Sequence, residues 1–343
     1  MSTLSGKSGY RLARRRFLSG VPALGVASLL AVPRLAAAEP PPETTRIRLT
    51  QDPAICLAPQ YLAEELLRLE GFSQIEYAKV PTGAAGMNVL ASGAADIKML
   101  GVFDILPVLD TEQSVVVLAG IHVGCYELFG NDRVHAIRDL KRKTVAVSDL
   151  GAGDHLFVAS MLAYVGVDPG KDIDWVMTKT YAESMRLFTD GTADAFLAFP
   201  PQPQELRARN IGNVIVDTVL DRPWSQYFCC VVAANRQFVA KHPVATKRAL
   251  RAFMKATDTC ALEPERVARF LVAKGYEPRY TMALDVLQKL PYNRWRDTNP
   301  EDTLRFYTLR LHEVGMIKST PQKLIAQGTD WRFLNDLRRE LKA

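Results

Sequence analysis

Two stretches of the chain, 98 positions apart, carry the same pattern and restrict its fold. Residues 88–100 read NVLASGAADIKML, and residues 186–198 read RLFTDGTADAFLA. In each, a helix-like run is followed by Gly-x-Ala-Asp and then by an apolar, strand-like run. Glycine tolerates the positive φ that ends a helix, so the repeated residues are predicted to be structural rather than ligand contacts. These residues are Gly93, Asp96, Gly191 and Asp194.

The repeat extends outward from this motif. Residues 46–52 align with 144–150, and residues 75–82 align with 173–180, each as a short strand that ends in a loop. Helical stretches lie between these strands, so each half reads strand–helix–strand–helix–strand. This order predicts an α/β fold with parallel strands covered by helices. With 343 residues, two similar lobes with a cleft between them are favoured over one domain.

Ligands of open parallel sheets bind beyond the carboxyl ends of the strands, where loops lead into helix N-termini. The repeat places two sets of such loops: 51–57, 81–86, 101–104, 149–155, 179–183 and 199–203. Within them, the predicted ligand-binding residues are Gln51, Cys56, Thr82, Gly83, Phe103, Asp104, Gly153, Asp154, His155, Tyr181 and Gln202.

The type of ligand stays open at this point. Acidic side chains lie in these loops, whereas basic ones are sparse, with Lys98 inside a short strand. Helix N-termini beside Thr82 and Ser148 suit a small oxyanion. An aromatic or amine-bearing ligand, stacked on a ring and paired with a carboxylate, is equally compatible. Asp154 also suits a structural role, as a cap of the following helix.

The N-terminus is predicted to be an export signal. Residues 1–38 contain ARRRFL, then a short apolar run and AAA, with six basic and no acidic residues. This pattern resembles a twin-arginine (Tat) signal cleaved after Ala38, followed by a polar linker over 39–45. The chain beyond the signal has 37 basic and 37 acidic residues, which disfavours binding to nucleic acid. The predicted location is therefore the periplasm.

Cysteines and histidines give no signature of a metal or cofactor. The chain has five of each, without a CxxC sequence or a Cys/His cluster, and its glycine-rich stretches lack dinucleotide-binding spacing. Export permits a disulfide. Free, buried thiols are nevertheless predicted for Cys56, Cys125, Cys229, Cys230 and Cys260.

From about residue 236 the pattern becomes helical and is not a third copy of the repeat. Residues 242–260 form an amphipathic pattern. Residues 299–315 open with Asn299 as an N-cap and Pro300 at the first helical position, and they close at Gly315. Another helix is predicted over 329–341.

Five motifs in order are similar to those of one family: LASGAADIKMLG, IRDLKRKTVAVSDLGAG, LFTDGTADAFLAFPPQ, NRQFVAKHPVATKRALRAFMKA and LHEVGMIKSTPQKL. The chain resembles the solute-binding proteins of ABC importers for nitrate, sulfonates, taurine and pyrimidine precursors of thiamine. The resemblance spans about residues 45–340. In the second motif, Arg142 replaces the family's glycine.

The resemblance implies a type II periplasmic binding protein fold. Residues 45–135 and 231–343, including C-terminal helices, would form lobe 1, and 136–230 lobe 2. Tyr126 and Tyr227 lie near the implied crossovers between the lobes and complete the predicted ligand-binding residues. The implied protein is a monomer without a cofactor or catalytic activity. It would deliver a small solute to an ABC permease and its ATPase.

Two alternatives belong to other functional classes. Fungal thiamine-pyrimidine synthases share the implied fold, so an exported enzyme acting on a pyrimidine-like substrate is one alternative. A cofactor-carrying, Tat-exported oxidoreductase is the other, and bound flavin or metal would be visible in its absorption spectrum.

Overall fold

The computed structural model describes residues 39–51, 54–78 and 88–341. The predicted signal, its cleavage site, Thr82 and Gly83 lie outside the described residues. The strands are β1 (Arg46–Thr50), β2 (Gln74–Ala78), β3 (Ile97–Gly101), β4 (Val115–Val123), β5 (Glu127–Gly130), β6 (Thr144–Val147), β7 (Asp174–Met177), β8 (Ala195–Ala198), β9 (Asn213–Asp217) and β10 (Phe228–Asn235).

The α-helices of the described residues lie between these strands and after them. They are α1 (Ala58–Leu69), α2 (Val102–Thr111), α3 (Gly153–Tyr164), α4 (Tyr181–Thr189), α5 (Gln202–Ala208), α6 (Arg236–Lys241), α7 (Pro243–Leu262), α8 (Pro264–Ala273), α9 (Tyr280–Lys289), α10 (Pro300–Glu313), α11 (Pro321–Gly328) and α12 (Arg332–Glu340). Among the described residues, none of these helices has the length and apolar character needed to cross a membrane.

The strands form three sheets, with orders β1-β2, β3-β10-β4 and β7-β6-β8-β5-β9. The predicted parallel pairing is confirmed where β1 meets β2 and where β6 meets β7 and β8. Two antiparallel strands add to this pattern. Strand β10 pairs with β3 and β4, and β5 pairs with β8 and β9. The repeat could not predict β10 and β5 as sheet members, because they lie outside it.

The repeated Gly-x-Ala-Asp motif has the same structural role in both halves. Gly93 and Gly191 adopt φ values of +73° and +76°, as expected past a helix end. The Asp96 carboxylate accepts the backbone N–H of Arg48 in β1 at 2.7 Å, and Asp194 accepts that of Thr144 in β6 at 3.1 Å. Each aspartate therefore ties the start of one strand to the neighbouring strand.

The C-terminal helices pack against both halves of the repeat. Helix α7 contacts α1, and α10 contacts α3. The predicted apolar face of α7 is fully buried at Ala249, Phe253, Ala256 and Cys260. Helix α10 begins as predicted, with the Asn299 side chain accepting the N–H of Glu301.

The segment predicted as a linker contacts α7. The Glu43 carboxylate accepts the backbone N–H groups of Val244 and Ala245, at 2.9 and 2.8 Å, in the first turn of that helix. The Arg248 guanidinium donates to the carbonyl of Pro40 at 3.0 Å. A carboxylate at a helix N-terminus satisfies free N–H groups and complements the helix dipole.

Candidate functional site

A cavity of about 290 Å³ lies at the carboxyl ends of β1 and β3. We call it the strand-end cavity. It is lined by Ala54, Cys56, Leu57, Lys98, Met99, Leu100, Gly101, Asp104, Cys125, Tyr126, Tyr181, Phe199 and Cys230. Tyr181 and Phe199 follow β7 and β8 of the second repeat half, and the other lining residues belong to other parts of the chain. The cavity is thus enclosed by loops of both halves.

Four of the residues predicted from sequence line this cavity: Cys56, Asp104, Tyr126 and Tyr181. Their loops follow β1, β3, β4 and β7, as the strand-end rule requires. One cavity thus brings together three residues selected by the strand-end rule and Tyr126, which was selected by its place near the implied crossover. The rule did not say which side chain in each loop would point inward.

Three aromatic rings form one wall of the cavity. Phe199 contacts Tyr181, with ring centroids 4.5 Å apart, and Tyr126 at 6.2 Å. Burial, reinforced by neighbouring carboxylates, raises the pKa of both tyrosines well above the usual value. Their hydroxyls therefore stay protonated at neutral pH and are available as hydrogen-bond donors and acceptors.

Two side chains of opposite charge also line the cavity. Lys98 is 8% exposed in the middle of β3, and Asp104 lies in the first turn of α2. Lys98 is not among the ligand-binding residues predicted from the sequence. The available signal was a lysine inside the apolar run IKML, where a charged side chain needs a polar environment.

Asp104 also packs against the second half of the repeat. A Cβ atom placed on Gly153 would lie 2.3 Å from Oδ1 of Asp104, and one on Gly101 would lie 2.7 Å from Oδ2. Only glycine leaves room for the carboxylate at these positions. Gly153 is therefore next to a cavity-lining residue without lining the cavity itself.

Asp154 and His155 brace their own loop. The Asp154 carboxylate accepts the N–H of Ser148 at 2.6 Å, its hydroxyl at 2.8 Å and the N–H of His155 at 2.9 Å. Nδ1 of His155 accepts the N–H of Gly151 at 3.0 Å. Burial lowers the pKa of His155 to about 4, so the ring is neutral at physiological pH.

The remaining predicted residues do not line the cavity. Phe103 stacks on Phe157 with centroids 4.2 Å apart, and Tyr227 stacks on Phe306 at the same distance. Gln202 supports the aromatic wall, because its Nε2 donates to the carbonyl of Tyr181 at 2.8 Å. Gln51 is exposed on the loop after β1.

The cysteines differ from the prediction of five free thiols. Cys125 and Cys229 form a disulfide with a Cα–Cα distance of 6.4 Å, so the prediction is wrong for this pair. The end of β4 runs beside the start of β10, where Val123 faces Phe228, and this pairing brings the two cysteines together. The free thiols of Cys56, Cys230 and Cys260 are buried, as predicted.

Four residues with metal-ligating atoms meet beside the cavity: Cys56, His122, Cys125 and Cys230. We call them the Cys3His cluster. One potential ligand atom from each lies within 4.8 Å of all the others. The Cys230 thiol lowers the pKa of Cys56 against the opposing effect of burial, and the His122 ring lowers it further. Sequence spacing predicted no metal site, because these residues come from three distant segments.

A second groove, of about 540 Å³, lies at the opposite, amino ends of β1 and β3. Two of its basic residues already form ion pairs, Arg46 with Glu76 at 2.7 Å and Arg48 with Asp96 at 2.6 Å. Parallel sheets bind ligands at their carboxyl ends, so the strand-end cavity is the better candidate despite its smaller volume.

Known proteins resemble this chain both in sequence and in structure. Residues 113–273 match the NMT1-like family. Over 141 residues, the chain is 26% identical to the bicarbonate-binding protein CmpA of Synechococcus elongatus. That match covers 40% of this chain and only 30% of the relative.

Solved structures share the fold over most of their length. The periplasmic nitrate-binding protein NrtA of Synechocystis PCC 6803 superposes with a TM-score of 0.73 at 17% identity, covering 88% of this chain and 90% of that one. The alkanesulfonate-binding protein SsuA of Xanthomonas axonopodis pv. citri, bound to MOPS, gives 0.67 at 14% identity, covering 86% and 100%. The chain therefore matches the NMT1-like family over residues 113–273 and has the fold of periplasmic nitrate- and sulfonate-binding proteins.

Proposed function

We propose that this protein is the solute-binding component of an ABC importer, which captures a small organic acid in the strand-end cavity and delivers it to the permease. The observation that carries the proposal is the composition of the cavity wall. Lys98 and Asp104 belong to the first repeat half, whereas Tyr181 and Phe199 belong to the second. A solute in this cavity would contact both halves.

Such a solute would couple binding to closure. In this proposal, residues 45–135 and 231–343 form one lobe and 136–230 the other. A ligand that bridges two lobes binds the closed arrangement more tightly than the open one and shifts the population toward it. The closed form would then be the one that the permease recognises.

The lining of the cavity favours an organic acid over a bare inorganic anion. The Lys98 ammonium supplies positive charge for a carboxylate or sulfonate. The rings of Tyr126, Tyr181 and Phe199 provide an apolar surface that a small inorganic ion would leave uncovered. Asp104 accepts an N–H or O–H group, which favours an amino or hydroxy acid. The proteins named above bind bicarbonate, nitrate or an alkanesulfonate, and their ligands share the anionic group.

Binding without turnover is part of the proposal. The relatives compared above are named as binding proteins. Recovery of the bound solute unchanged, by mass spectrometry after prolonged incubation, supports this. A converted product would favour the enzyme alternative.

Export by the Tat route, with cleavage after Ala38, completes the proposal. N-terminal sequencing of the periplasmic protein should begin at Glu39. Replacing Arg14 and Arg15 by lysine should leave precursor in the cytoplasm. Normal export of that variant would exclude the Tat route.

A ligand screen tests the solute class. Nitrate, bicarbonate, taurine, benzenesulfonate and 4-aminobenzoate are compared by thermal shift, followed by calorimetry. A ligand present at a hundredfold excess over its Kd stabilises the native state by about 2.7 kcal/mol. We expect the aromatic acids to give the largest shift, with one site per chain. Larger shifts with nitrate or bicarbonate would contradict the proposed class.

Lys98→Gln tests the charge contact. We expect an affinity loss of at least about tenfold, which corresponds to about 1.4 kcal/mol. Lys171→Gln is the matched control, because that side chain is 83% exposed. Equal affinities for the two variants would place the solute elsewhere.

A further inference from the structure

The Cys3His cluster is buried and built from separate elements. Cys56 lies in the short helical turn after β1, His122 near the end of β4, Cys125 just beyond that end, and Cys230 in β10. Each of these side chains is at most 5% exposed. Three cysteine sulfurs and one imidazole within 4.8 Å of one another form a donor set that neither the match to the NMT1-like family nor the proposed solute explains.

The orientation of His122 points to a ligand. Its Nδ1 lies 3.0 Å from the carbonyl oxygen of Gly124, so Nδ1 carries the proton and donates it. Nε2 then keeps its lone pair; it is buried, and no hydrogen bond of good geometry reaches it, although the Cys56 thiol lies beside the ring. Histidines that bind metals almost always donate their other ring N–H to a carbonyl or carboxylate in this way.

The surroundings hold the cluster in place. The Tyr292 hydroxyl donates to the carbonyl of Cys56 at 3.1 Å, and its ring packs edge-on against His122 with centroids 5.1 Å apart. Gly124 has a φ of +57°, and a Cβ there would lie 2.6 Å from the carbonyl of Thr218. The carbonyl that orients His122 therefore lies in a turn that requires glycine.

We propose that the Cys3His cluster, with Cys125 in its thiol form, binds a thiophilic metal ion of the Zn²⁺ type through three sulfurs and Nε2 of His122. Three cysteines and one histidine are a common tetrahedral ligand set for zinc. With Zn–S bonds of about 2.3 Å, tetrahedral ligand atoms lie about 3.8 Å apart. Metal binding therefore requires the most distant of these atoms to move closer than the 4.8 Å within which they now lie.

The disulfide and the metal compete for Cys125. The Sγ atom of Cys125 is bonded to that of Cys229, which leaves three cluster ligands in the oxidised protein. An external dithiol reduces this bond: it becomes a disulfide itself, while Cys125 and Cys229 each gain one electron and one proton. Metal binding then displaces the thiol protons of Cys56, Cys125 and Cys230 into solvent. The site is therefore open only under reducing conditions.

This site adjoins the proposed solute site but can be tested separately from the transport function. Three of its ligands also line the strand-end cavity, so the ion lies in the cavity wall. Solute binding is measured by calorimetry, whereas metal binding has its own spectroscopic signal. If the test of one proposal fails, the result does not decide the other, which has its own measurement.

Titration with Co²⁺ tests the proposal on the whole protein. Protein reduced with a dithiol, freed of the excess and shown to contain five thiols, is titrated anaerobically. We expect one Co²⁺ per chain, with near-ultraviolet thiolate charge transfer and the intense visible bands of tetrahedral cobalt. Zn²⁺ in equimolar amount should abolish both. Oxidised protein should bind at least tenfold more weakly. Reduced protein without these bands would overturn the proposal.

Neighbouring cysteines provide matched variants. Cys229→Ser frees Cys125 and should bind Co²⁺ without prior reduction, whereas Cys230→Ser should weaken binding at least tenfold. Cys260→Ser is the control, because Cys260 is free and buried but outside the cluster. Circular dichroism checks that each variant is folded. Equal weakening by Cys230→Ser and Cys260→Ser would contradict the assigned ligands.

Discussion

The two halves of the repeat place equivalent residues in similar positions but use them differently. Cys56 and Asp154 are 98 positions apart, as are Asp104 and Gln202. In the first half, Cys56 and Asp104 line the strand-end cavity. In the second, Asp154 accepts three hydrogen bonds within its own loop, and Gln202 binds the carbonyl of Tyr181.

This difference indicates that the two halves have different roles around the cavity. The second half provides a braced wall, which presents Tyr181 and Phe199 at fixed positions. The first half provides charged and thiol groups that line the cavity, and in the proposed function these groups contact the solute. A shared topology fixes where loops lie, whereas the individual side chains decide whether a loop supports the site or contacts the ligand.

The largest expected effect comes from the equivalent pair Cys56 and Asp154. Asp154→Ala removes the acceptor of three hydrogen bonds, from the half-buried Ser148 and the buried N–H of His155, so we expect a loss of about 2–4 kcal/mol in the free energy of unfolding. Cys56→Ala should cost about 1 kcal/mol, because it removes a small, poorly hydrogen-bonding group. Urea denaturation measures both. Asp149→Ala, at an exposed position of the same loop, is the control. Similar losses for Asp154→Ala and Cys56→Ala would contradict the different roles assigned to the two halves.

Gly153 tests the contact between the halves. In Gly153→Ala, the new methyl group would meet Oδ1 of Asp104 at 2.3 Å. We expect a destabilisation of about 1–3 kcal/mol, the usual range for overpacking. Thermal denaturation gives the value. The double variant Gly153→Ala/Asp104→Ala should recover most of it, and no recovery would show that the strain arises elsewhere.

The buried His155 makes the braced loop sensitive to acid. The pKa of the ring is about 4 in the folded protein and near 6.5 when unfolded. Between these values the unfolded chain binds the extra proton, so stability falls as pH decreases from 6.5 to 4. We expect this histidine to contribute about 1–2 kcal/mol to the fall. Denaturation at several pH values should show a shallower slope for His155→Gln, and an unchanged slope for the exposed His135→Gln.

The smallest expected effect concerns Asp104 and Gln202. Asp104→Asn should weaken solute binding about tenfold, or about 1.4 kcal/mol, with little change in melting temperature. Gln202→Ala should mainly lower the melting temperature, because it removes support from the Tyr181 loop. Calorimetry and thermal denaturation of both variants separate the two roles. A reversed pattern would mean that the second half contacts the solute more directly than the first.

Much of the fold could be predicted because the same helix-end and strand signals recur in both halves of the repeat. Glycine at a helix end and an apolar run after it indicate a strand edge wherever they occur, and six strands follow that order. The antiparallel strands β5 and β10 lie outside the repeat. Their pairing depends on which edges the other strands leave open, which no local pattern records.

The site was only partly predictable for a related reason. Loop positions follow from topology, so the sequence placed Cys56, Asp104 and Tyr181 in strand-end loops that line one cavity, whereas Tyr126 came from the family resemblance. Side-chain direction within a loop depends on hydrogen bonds such as those of Asp154, which exist only after folding. The Cys125–Cys229 disulfide joins residues 104 positions apart, and the Cys3His cluster is similarly non-local. Sequence spacing detects ligands only when they come from one segment.

The contact of Glu43 with α7 has a consequence for how the segment after the predicted signal evolves and is engineered. Glu43 binds a helix N-terminus 201 positions further along the chain. A segment that serves only as a spacer tolerates any polar sequence, but this one contains a fixed anchoring residue. Affinity tags inserted after Ala38 are better tolerated before Pro40 than between Pro40 and Glu43. Substitutions at Glu43 are expected to be selected against for stability, even though the residue lies far from the cavity.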